Sequence, residues 1–543
     1  METVMRNERG LALTFGDVFI TLLLLTLVFT VLLISLLLLL RGLIFDIAIG
    51  FFFSLAVSSY LQVAFMNGAI DFLEGSVIEM SRAEWGLNLA IWALVFCCVY
   101  FMRWFKKIWM KGIVFISITL LVMQLAVFVS LVPNIENRER TSDTHYFLSK
   151  TDEFVLSSDH NTVVFILDHL SVYILQSAFA TYPHLQEMFS DFTRFDNSAP
   201  LYVGTFPSIA YLLTNARWCE EISTQMYLTT IWDEPSLETL SFYNALWEAE
   251  YRFHLLAEPF WFTAHPNQLE GFVDNLEYGG RSVNQSQLIV EMVNLALFRY
   301  SPYRFKNHFR VIDGSFSNTI TDESYFIDDI EFYQRLIEKG ITVQHDYNML
   351  VIYHLLGQHG HGRWYDEFAN PRDAYCGVAQ TAGSLWIINE YMEQMKELGI
   401  YDNANIIIIS DHGEKNEPSA AFMMRRAYVT GEEMQISYAP ISHENFWPTL
   451  VEVMGLATMD FGESVFEIPE GALRERTVTY FTWHPHFPNS QNTFNTAVLA
   501  TFTDSVNISH YRLPTWQKLS EDFEELFPHL LIIPIYDYII FPD

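Results

Sequence analysis

Long apolar runs separated by short polar connections occupy the N-terminal quarter of the chain. Four of these runs are long enough to form helices that cross a bilayer: Val18 to Leu40, Leu43 to Met66, Trp85 to Met102 and Ile113 to Val132. A succession of such runs disfavours buried core helices. The first run is too long for a cleaved signal peptide, and further runs follow it. The pattern predicts a multi-span transmembrane domain of about four helices over residues 1–133.

The charges of the connections predict the orientation of these helices. Four basic residues lie in the connection after the third run: Arg103, Lys106, Lys107 and Lys111. Positive charge marks a cytoplasmic connection, so the chain after Pro133 is expected outside the cytoplasm, at the cell membrane. Counting the helices backwards from this cytoplasmic connection also places the N-terminal tail outside the cytoplasm. This location is unusual for a tail that carries Arg6 and Arg9. One hypothesis is that a further transmembrane helix precedes Met1.

The apolar pattern changes after residues 134–158, which are polar and are predicted to form a juxtamembrane linker. Three later runs are apolar without alternation, as in parallel strands that are buried on both faces: Thr162 to Leu167, Asn348 to Tyr353 and Ile406 to Ile409. Apolar residues from Leu385 to Leu398 recur at helical spacing between the last two runs, and Gly399 is a stop signal. The fold class is therefore predicted to be α/β with a largely parallel central sheet, preceded by transmembrane helices.

Charge and cysteine content narrow the class of protein. The chain has 31 basic and 64 acidic residues, a formal net charge of −33. Because nucleic-acid binding needs a basic surface, a nucleic-acid partner is not expected. Two of the four cysteines, Cys219 and Cys376, fall in the predicted external part, and the sequence does not decide whether they pair. So few cysteines exclude a fold built on disulfides.

Each predicted strand ends in a potential metal ligand. Asp168 follows the first strand, His354 the second, and the Asp411-His412 pair the third. The carboxyl ends of parallel strands meet at one edge of a sheet, where open α/β folds bind their ligands. Carboxylate oxygens and imidazole nitrogens are both zinc ligands. The wide spacing excludes a local metal finger and predicts a metal site assembled at this edge.

The best candidate for a nucleophile is Thr205, within the stretch Tyr202 to Ile209, although the local pattern alone favours a residue that only caps a helix. Gly204 is expected to adopt an unusual backbone angle, and Pro207 to fix the first turn of a helix. Amide groups at such a helix start favour a phosphate. A threonine hydroxyl is a weak nucleophile unless a base or a metal activates it. The alternative is that Thr205 only caps the helix.

Taken together, these motifs resemble the sulfatase-like branch of the alkaline phosphatase superfamily over roughly residues 159–480. The motifs are, in chain order, Ile166-Leu-Asp168, Gly204-Thr-Phe-Pro-Ser208, His354-Leu-Leu-Gly-Gln-His359, Ser410-Asp-His-Gly413, Tyr438-Ala-Pro-Ile-Ser-His443 and Trp447-Pro-Thr-Leu-Val451. With the membrane anchor ahead of the external domain, the layout is similar to that of the lipoteichoic acid synthase and phosphoethanolamine transferase families. Residues 481–543 are expected to pack on this catalytic domain, with a strand near Leu531.

The resemblance implies four metal ligands: Asp168, Thr205, Asp411 and His412. It also implies that His354 and His359 lie near the substrate phosphate. Many relatives have a second acid where this chain has Ser171, which favours one divalent metal, Zn or Mn, and leaves a second metal uncertain. His361 is either a further phosphate contact or a loop residue, and His443 either faces the site or serves packing.

The function implied by the resemblance is a metal-dependent transferase anchored in the membrane. It would move a phosphoglycerol or phosphoethanolamine head group from a phospholipid, through a phosphothreonine, to a surface glycan or lipid. Sulfatases use Cys or Ser as the nucleophile and an Arg that closes the motif. Here Thr205 and Ile209 stand at those positions, so sulfate ester hydrolysis is disfavoured. The alternatives are a phosphodiesterase or sulfatase-type hydrolase, or a non-catalytic membrane protein that keeps the fold.

Overall fold

The computed structural model describes residues 13, 15–68, 80–139, 146–218, 224–279, 282–309, 316, 319–320, 323–360, 363–372, 374–414, 419–431, 433–482, 496–502 and 530–534. Cys219 and His361 lie outside these ranges. The chain divides into two compact units, the first formed by Met1–Thr144 with Gly280–Asp322 and the second by His145–Gly279 with Glu323–Asp543. The segment from 280 to 322 falls inside the range 159–480 that the sequence assigns to the catalytic domain.

The helices are α1 (Phe15–Leu39), α2 (Gly42–Leu61), α3 (Arg82–Met102), α4 (Lys106–Glu139), α5 (Val172–Thr181), α6 (His184–Met188), α7 (Thr205–Thr214), α8 (Thr224–Asp233), α9 (Leu237–Glu248), α10 (Gln285–Tyr300), α11 (Tyr303–Lys306), α12 (Asp329–Lys339), α13 (Gly377–Glu397) and α14 (Phe446–Met454). The strands are β1 (Tyr146–Leu148), β2 (Val155–Ser157), β3 (Asn161–Leu167), β4 (Thr193–Phe195), β5 (Ser198–Ala199), β6 (Tyr251–Leu256), β7 (Leu276–Tyr278), β8 (Thr342–Gln344), β9 (Asn348–Leu355), β10 (Ala404–Ser410), β11 (Phe422–Arg425), β12 (Gln435–Ser437), β13 (Ile441–Ser442), β14 (Arg476–Thr482), β15 (Thr496–Phe502) and β16 (Leu530–Pro534).

The first unit contains the apolar helices. Among the described residues, three helical stretches are long and apolar enough to cross a membrane: Val18–Leu39, Gly42–Met66 and Arg82–Val129. The third joins α3 and α4 through a short 3-10 turn at Arg103–Phe105, and it contains both the third and the fourth predicted spans. The Tyr100 hydroxyl donates to the Ile47 carbonyl and the Tyr60 hydroxyl lies 4.0 Å from the Met123 sulfur. Both α3 and α4 therefore pack along α2, with α3 antiparallel to α2 and α4 parallel to it.

A buried carboxylate fixes the basic connection between α3 and α4. Asp46, near the start of α2, is 3 % exposed. Its Oδ2 accepts hydrogen bonds from Arg103 at 3.1 Å and from Lys106 at 3.0 Å. An unpaired charge in an apolar setting is costly. The ion pairs of Asp46 with Arg103 and Lys106 therefore hold the basic connection beside the start of α2.

The second unit is an α/β domain built on a seven-stranded sheet, and the predicted fold class is confirmed. The strand order is β12-β4-β11-β10-β3-β9-β6. The strands β10, β3, β9 and β6 are mutually parallel, whereas β11 is antiparallel to both of its neighbours. Ser410, Leu167 and Leu355 lie side by side in the register. Asp168 and Asp411 therefore leave the sheet at the same edge, and His354 lies one residue before that level.

Both faces of this sheet are covered. Alternate residues of the central strands enter two apolar cores, with Val164 and Ile407 in one and Phe165 and Ile406 in the other. The second core includes the buried face of α13. Double coverage explains why these strands are apolar without alternation. Gly399 follows α13 with φ 71°, the left-handed conformation of a glycine stop.

One predicted boundary differs from the observed elements. The range 134–158, predicted as a linker, contains instead the last residues of α4 and the strands β1 and β2. The physical reason for β2 is local, because Phe154 to Leu156 are apolar and buried. The C-terminal strand is present as β16, which pairs with β15.

Candidate active site

Asp168, Asp411 and His412 meet at the carboxyl edge of the sheet. One ligand atom from each side chain lies within 4.8 Å of the other two, and all three residues are buried. His412 Nε2 is 3.6 Å from Asp168 Oδ1 and 3.6 Å from Asp411 Oδ2. The parallel register of β3 and β10 produces this meeting across 243 positions of sequence, between Asp168 and Asp411.

The tautomer of His412 is set by the backbone. Its Nδ1 lies 2.6 Å from the Gly413 carbonyl oxygen, which can only accept a hydrogen bond. Nδ1 therefore carries the proton, and the lone pair on Nε2 is available as a ligand. Metal-binding histidines are commonly oriented in this way.

Two buried carboxylate oxygens remain without a hydrogen-bond donor. Asp411 Oδ1 accepts from the backbone N–H groups of His169 at 3.0 Å and His412 at 2.7 Å. Asp411 Oδ2 and Asp168 Oδ1 accept none from the part of the chain that the structure describes. Leaving such oxygens buried and unsatisfied is costly. A divalent cation between them and His412 Nε2 would satisfy both, so the donor set fits Zn or Mn.

The electrostatics of the site also favour a cation. Burial raises the pKa of Asp168 well above its usual range, and the nearby charges of Asp411 and Asp329 raise it further. Several acidic groups therefore share a small, dry volume in which their mutual repulsion is weakly screened. Residues that could hold a metal are thus brought together, as the sequence and the resemblance predicted for Asp168, Asp411 and His412.

Thr205 lies beside this cluster. Its hydroxyl oxygen is 3.4 Å from His412 Nε2. Thr205 is 8 % exposed and opens α7, but Phe206 after it has non-helical angles (φ −87°, ψ 131°), so the regular helix begins at Pro207, where the sequence predicted. The prediction that Gly204 adopts an unusual backbone angle was wrong, because its φ of 165° is extended and open to any residue. The hydroxyl is instead placed by the helix start and by the neighbouring strand edge.

A second group of ligand atoms shares Asp168. Asp168, His169 and His359 each offer an atom within 4.8 Å of the others, and the two histidines are partly exposed. The His169 ring lies 4.9 Å from that of His412 and 5.6 Å from that of His359, between centroids. The sequence analysis missed His169, although it directly follows Asp168.

His354 is fully enclosed next to the site. It is 0 % exposed, and neither ring nitrogen has a hydrogen-bond partner among the described residues. Burial lowers the pKa of His354 to about 4, with Asp411 and His412 acting on it in opposite directions. His354 is therefore neutral at physiological pH. Contact of His354 or His359 with a substrate phosphate stays a prediction.

The loop between His354 and His359 is tied to Asp168 and to a buried carboxylate. Asp168 N–H donates to the Leu355 carbonyl, and Asp168 O accepts from Gln358 N–H at 3.0 Å. Asp329, at the start of α12, accepts from the N–H groups of Leu356 at 2.7 Å and Gly357 at 3.1 Å. Asp329 thus holds the loop that carries His359, a role that sequence patterns did not indicate.

Replacing Gly357 by Ala is expected to destabilise the domain by about 3 kcal/mol. Gly357 has φ 59°, and a Cβ there would lie 2.8 Å from both the backbone N and the backbone O of Asp168. Gly399→Ala is the matched control, because Gly399 has φ 71° and open space around it. The control is expected to cost only about 1 kcal/mol, from backbone strain. Equal thermal unfolding midpoints for the two variants would contradict the close contact at Asp168.

His443 and Ser171 have structural roles. His443 Nε2 donates to the Ser410 carbonyl at 2.9 Å, and its Nδ1 accepts from Leu201 N–H at 3.3 Å. Of the two readings left open, packing is therefore the one observed. Ser171 caps α5, and its hydroxyl accepts from Ile174 N–H at 3.2 Å.

The burial of His443 predicts an acid-sensitive fold. Burial lowers its pKa from 6.5 to about 4. Between these values the unfolded chain takes up a proton that the folded protein does not, so stability is present above pH 6.5 and is lost as pH falls towards 4. The loss is expected to reach about 3 kcal/mol. In denaturant unfolding, His443→Gln should remove this contribution to the pH dependence and leave that of His354, whose pKa is lowered in the same way, whereas the exposed His345→Gln should leave the pH dependence as in wild type.

Solved structures that this chain resembles include a hydrolase, a synthase and a protein of the alkaline phosphatase superfamily. The phosphonate monoester hydrolase SpPMH from Silicibacter pomeroyi is 13 % identical, with a TM-score of 0.37, and the alignment covers 68 % of this chain and 94 % of that one. The lipoteichoic acid synthase LtaP from Listeria monocytogenes is 12 % identical, with a TM-score of 0.34 and coverage of 68 % and 89 %. A protein in the alkaline phosphatase superfamily from Vibrio parahaemolyticus is 10 % identical, with a TM-score of 0.36 and coverage of 66 % and 79 %.

No family model and no curated protein matches the chain. The structural neighbours are those that the sequence motifs predicted: sulfatases, alkaline phosphatase superfamily members and a lipoteichoic acid synthase. At these identities the similarity concerns the fold. The chemistry assigned to this chain therefore rests on the geometry of its own residues.

Proposed function

We propose that this protein is a membrane-anchored, metal-dependent transferase of phospholipid head groups, with Thr205 as nucleophile. The observation that carries the proposal is the position of the Thr205 hydroxyl, 3.4 Å from His412 Nε2 and beside two buried carboxylate oxygens that lack donors. A protein that only binds a lipid or a partner does not need a hydroxyl among metal ligands at a helix start. A threonine nucleophile does need it, because its hydroxyl is weak until a metal or a base activates it.

The chain's own residues would carry out two successive transfers. Thr205 Oγ1 attacks the head-group phosphorus, its proton is lost, and the bond from phosphorus to the diacylglycerol oxygen breaks. Diacylglycerol leaves after taking up a proton, and Thr205 carries the phosphoester. An acceptor hydroxyl on a surface glycan or lipid then attacks the same phosphorus and restores the threonine hydroxyl. The start of α7 places partial positive charge near the phosphoryl oxygens.

A divalent cation bound to Asp168, Thr205, Asp411 and His412 would lower the pKa of the Thr205 hydroxyl and offset phosphate charge. The role of Asp411 in this arrangement is to present one oxygen while two backbone N–H groups hold the other. His412 is fixed by the carbonyl of Gly413. Asp329 keeps the loop of His359 against Asp168, where His359 would contact the phosphate.

The apolar helices support a phospholipid donor. They belong to the same chain as the site, so they would hold the nucleophile at the bilayer that contains the donor and raise its effective concentration there. The charge pattern of the connections supports a location of the α/β domain outside the cytoplasm, as part of a multi-pass membrane protein. There the acceptor would be a hydroxyl of the cell surface.

The test uses the full chain in lipid nanodiscs that contain phosphatidylglycerol or phosphatidylethanolamine labelled in the head group. Release of diacylglycerol together with a labelled adduct on the protein is the expected result. Head group released only as the free phosphoester would show water as acceptor and make the protein a phosphodiesterase. With metal present, absence of both products for every donor would overturn the proposal and favour a non-catalytic membrane protein.

A further inference from the structure

The segment that follows β7 is part of the helical first unit. Residues 280–322 group with the N-terminal helices, more than a hundred positions earlier in the chain. Asn67, after α2, donates through Nδ2 to the Arg299 carbonyl at 3.0 Å, and Tyr303 N–H donates to Asn88 Oδ1 in α3 at 3.1 Å. Thr21 in α1 donates to Gln285. α10 and α11 are therefore fixed to the ends of three apolar helices.

These helix ends lie on one side of the first unit. Thr21 is near the start of α1, Asn67 follows α2, and Asn88 is in the second turn of α3. The basic connection near Arg103 lies at the other end of α3. α10 and α11 thus pack at the end of the spans that the charge pattern assigns to the outer side of the membrane.

α10 has two apolar faces. One is buried and includes Leu288, Met292, Leu295 and Phe298. The other is an exposed apolar stripe, defined by Val290, Val293, Leu297 and Tyr300, with exposures of 50 %, 39 %, 41 % and 42 %. Its members recur at spacings of three and four, so they share one helical face. A continuous apolar stripe of this kind marks a surface that is covered in the native environment.

The apolar stripe is continuous with the surface of a candidate span. A groove of about 620 Å³ runs between α10 and α1. Its walls include Ile20, Leu24 and Val28 of α1 and Ile289 of α10. The surface of α1 is apolar and exposed along its length, as expected for a helix in contact with lipid chains. The lipid chains that cover α1 would therefore also contact α10.

The charge of this segment is opposite to that of the whole chain. Between residues 285 and 309 the only acidic residue is Glu291, which is buried, whereas Arg299, Arg304 and Lys306 are basic. Lys306 is itself buried and donates to the Phe298 and Arg299 carbonyls, and Arg299 is half-buried, so Arg304 carries the exposed positive charge of this segment. Arg304 is exposed, with its guanidinium 5.9 Å from the centre of the Trp85 ring. In a chain with net charge −33, a basic end beside an apolar stripe is the pattern of a helix at a membrane surface.

We infer that α10 and α11 form an interfacial element. The apolar stripe enters the outer leaflet of the bilayer, and the basic end binds anionic phospholipid head groups such as phosphatidylglycerol. The inference rests on the proposed location of the first unit in a membrane. A partner protein is the less favoured occupant, because the stripe continues onto the lipid-facing surface of α1 and carries a positive end.

The test is photocrosslinking of the full chain in nanodiscs of phosphatidylcholine, with a trace of diazirine-labelled phosphatidylglycerol or diazirine-labelled phosphatidylcholine. Labelled peptides are then mapped by mass spectrometry. Peptides from 285–309 should be labelled, more strongly by phosphatidylglycerol. Arg304→Gln should reduce labelling by phosphatidylglycerol about fivefold, the factor expected for the loss of one cation that contacts an anionic head group. Lys339→Gln, an exposed lysine of the second unit, should change nothing.

A second variant tests the apolar stripe. Leu297→Asn should weaken labelling of α10 by both lipids, whereas Leu240→Asn, at a similarly exposed leucine of the second unit (37 %), should not. Peptides of α1 serve as the internal reference. Labelled α1 with unlabelled α10 overturns this inference alone, and unlabelled α1 overturns the proposed membrane location. Equal labelling of 285–309 by both lipids would overturn the head-group assignment.

Discussion

Thr205→Ala is expected to reduce turnover about a thousandfold or more, because it removes the oxygen that would form the covalent bond to phosphorus. Phosphodiester cleavage by the full chain measures the rate, and intact mass spectrometry measures the adduct. The variant should lose both while it keeps its thermal unfolding midpoint, since the threonine hydroxyl faces the metal cluster and is not the cap of α7. Thr205→Ser should retain the adduct, because it keeps a hydroxyl at the same position.

Ser208→Ala is the matched control for loss of a hydroxyl within the same helix. Ser208 Oγ donates to the Tyr202 carbonyl at 3.1 Å, so this change is expected to cost about 1 kcal/mol of stability with little effect on turnover. If Thr205→Ala turned over substrate at the rate of Ser208→Ala, a covalent phosphothreonine would be excluded. The alternative that Thr205 only serves the helix start would then stand.

Asp411→Asn is expected to lower metal affinity about a hundredfold or more. The amide removes one negative charge and replaces one of the two buried oxygens that lack a donor. Titration with Zn²⁺ or Mn²⁺, followed by the thermal unfolding midpoint, measures the effect. The wild type should gain stability on addition of metal, and the variant should gain much less.

The same variant gives a second signature in the absence of metal. Burial and the charge of Asp411 both raise the pKa of Asp168, so removal of that charge should make the metal-free variant more stable than the metal-free wild type. Asp402→Asn is the control, at a carboxylate that is 83 % exposed. Wild-type metal affinity in Asp411→Asn would remove this residue from the ligand set.

The elements that carry the site are predictable because their signals are local. β3 and β10 are unbroken apolar runs, which only a sheet covered on both faces can bury. Asp168 and Asp411 stand directly after them, so their meeting follows from the parallel register. α13 and its stop at Gly399 follow from helical spacing and a glycine. In each case a short stretch of sequence determines both the element and its end.

Other features depend on contacts that no local pattern encodes. His169 was passed over because its position is set by a left-handed backbone, with φ 65°, and by a bond from its N–H to Asp411. Asp329 reaches the loop of Gly357 only after α12 has docked. The apolar residues of α10 were read as part of the catalytic domain, since helical spacing shows that a face is buried but not which unit buries it.

The position of α10 in the first unit has a practical consequence for isolating the α/β domain. A recombinant fragment that starts after the apolar helices would still contain 280–322, stripped of the helices that cover it, and would be prone to aggregate. Leu276 pairs with Leu148, and Ser324 pairs with the adjacent Ser149. The two ends of the inserted segment therefore return to neighbouring positions on one strand. A soluble enzyme should be obtained by deleting the segment and joining its ends through a short linker.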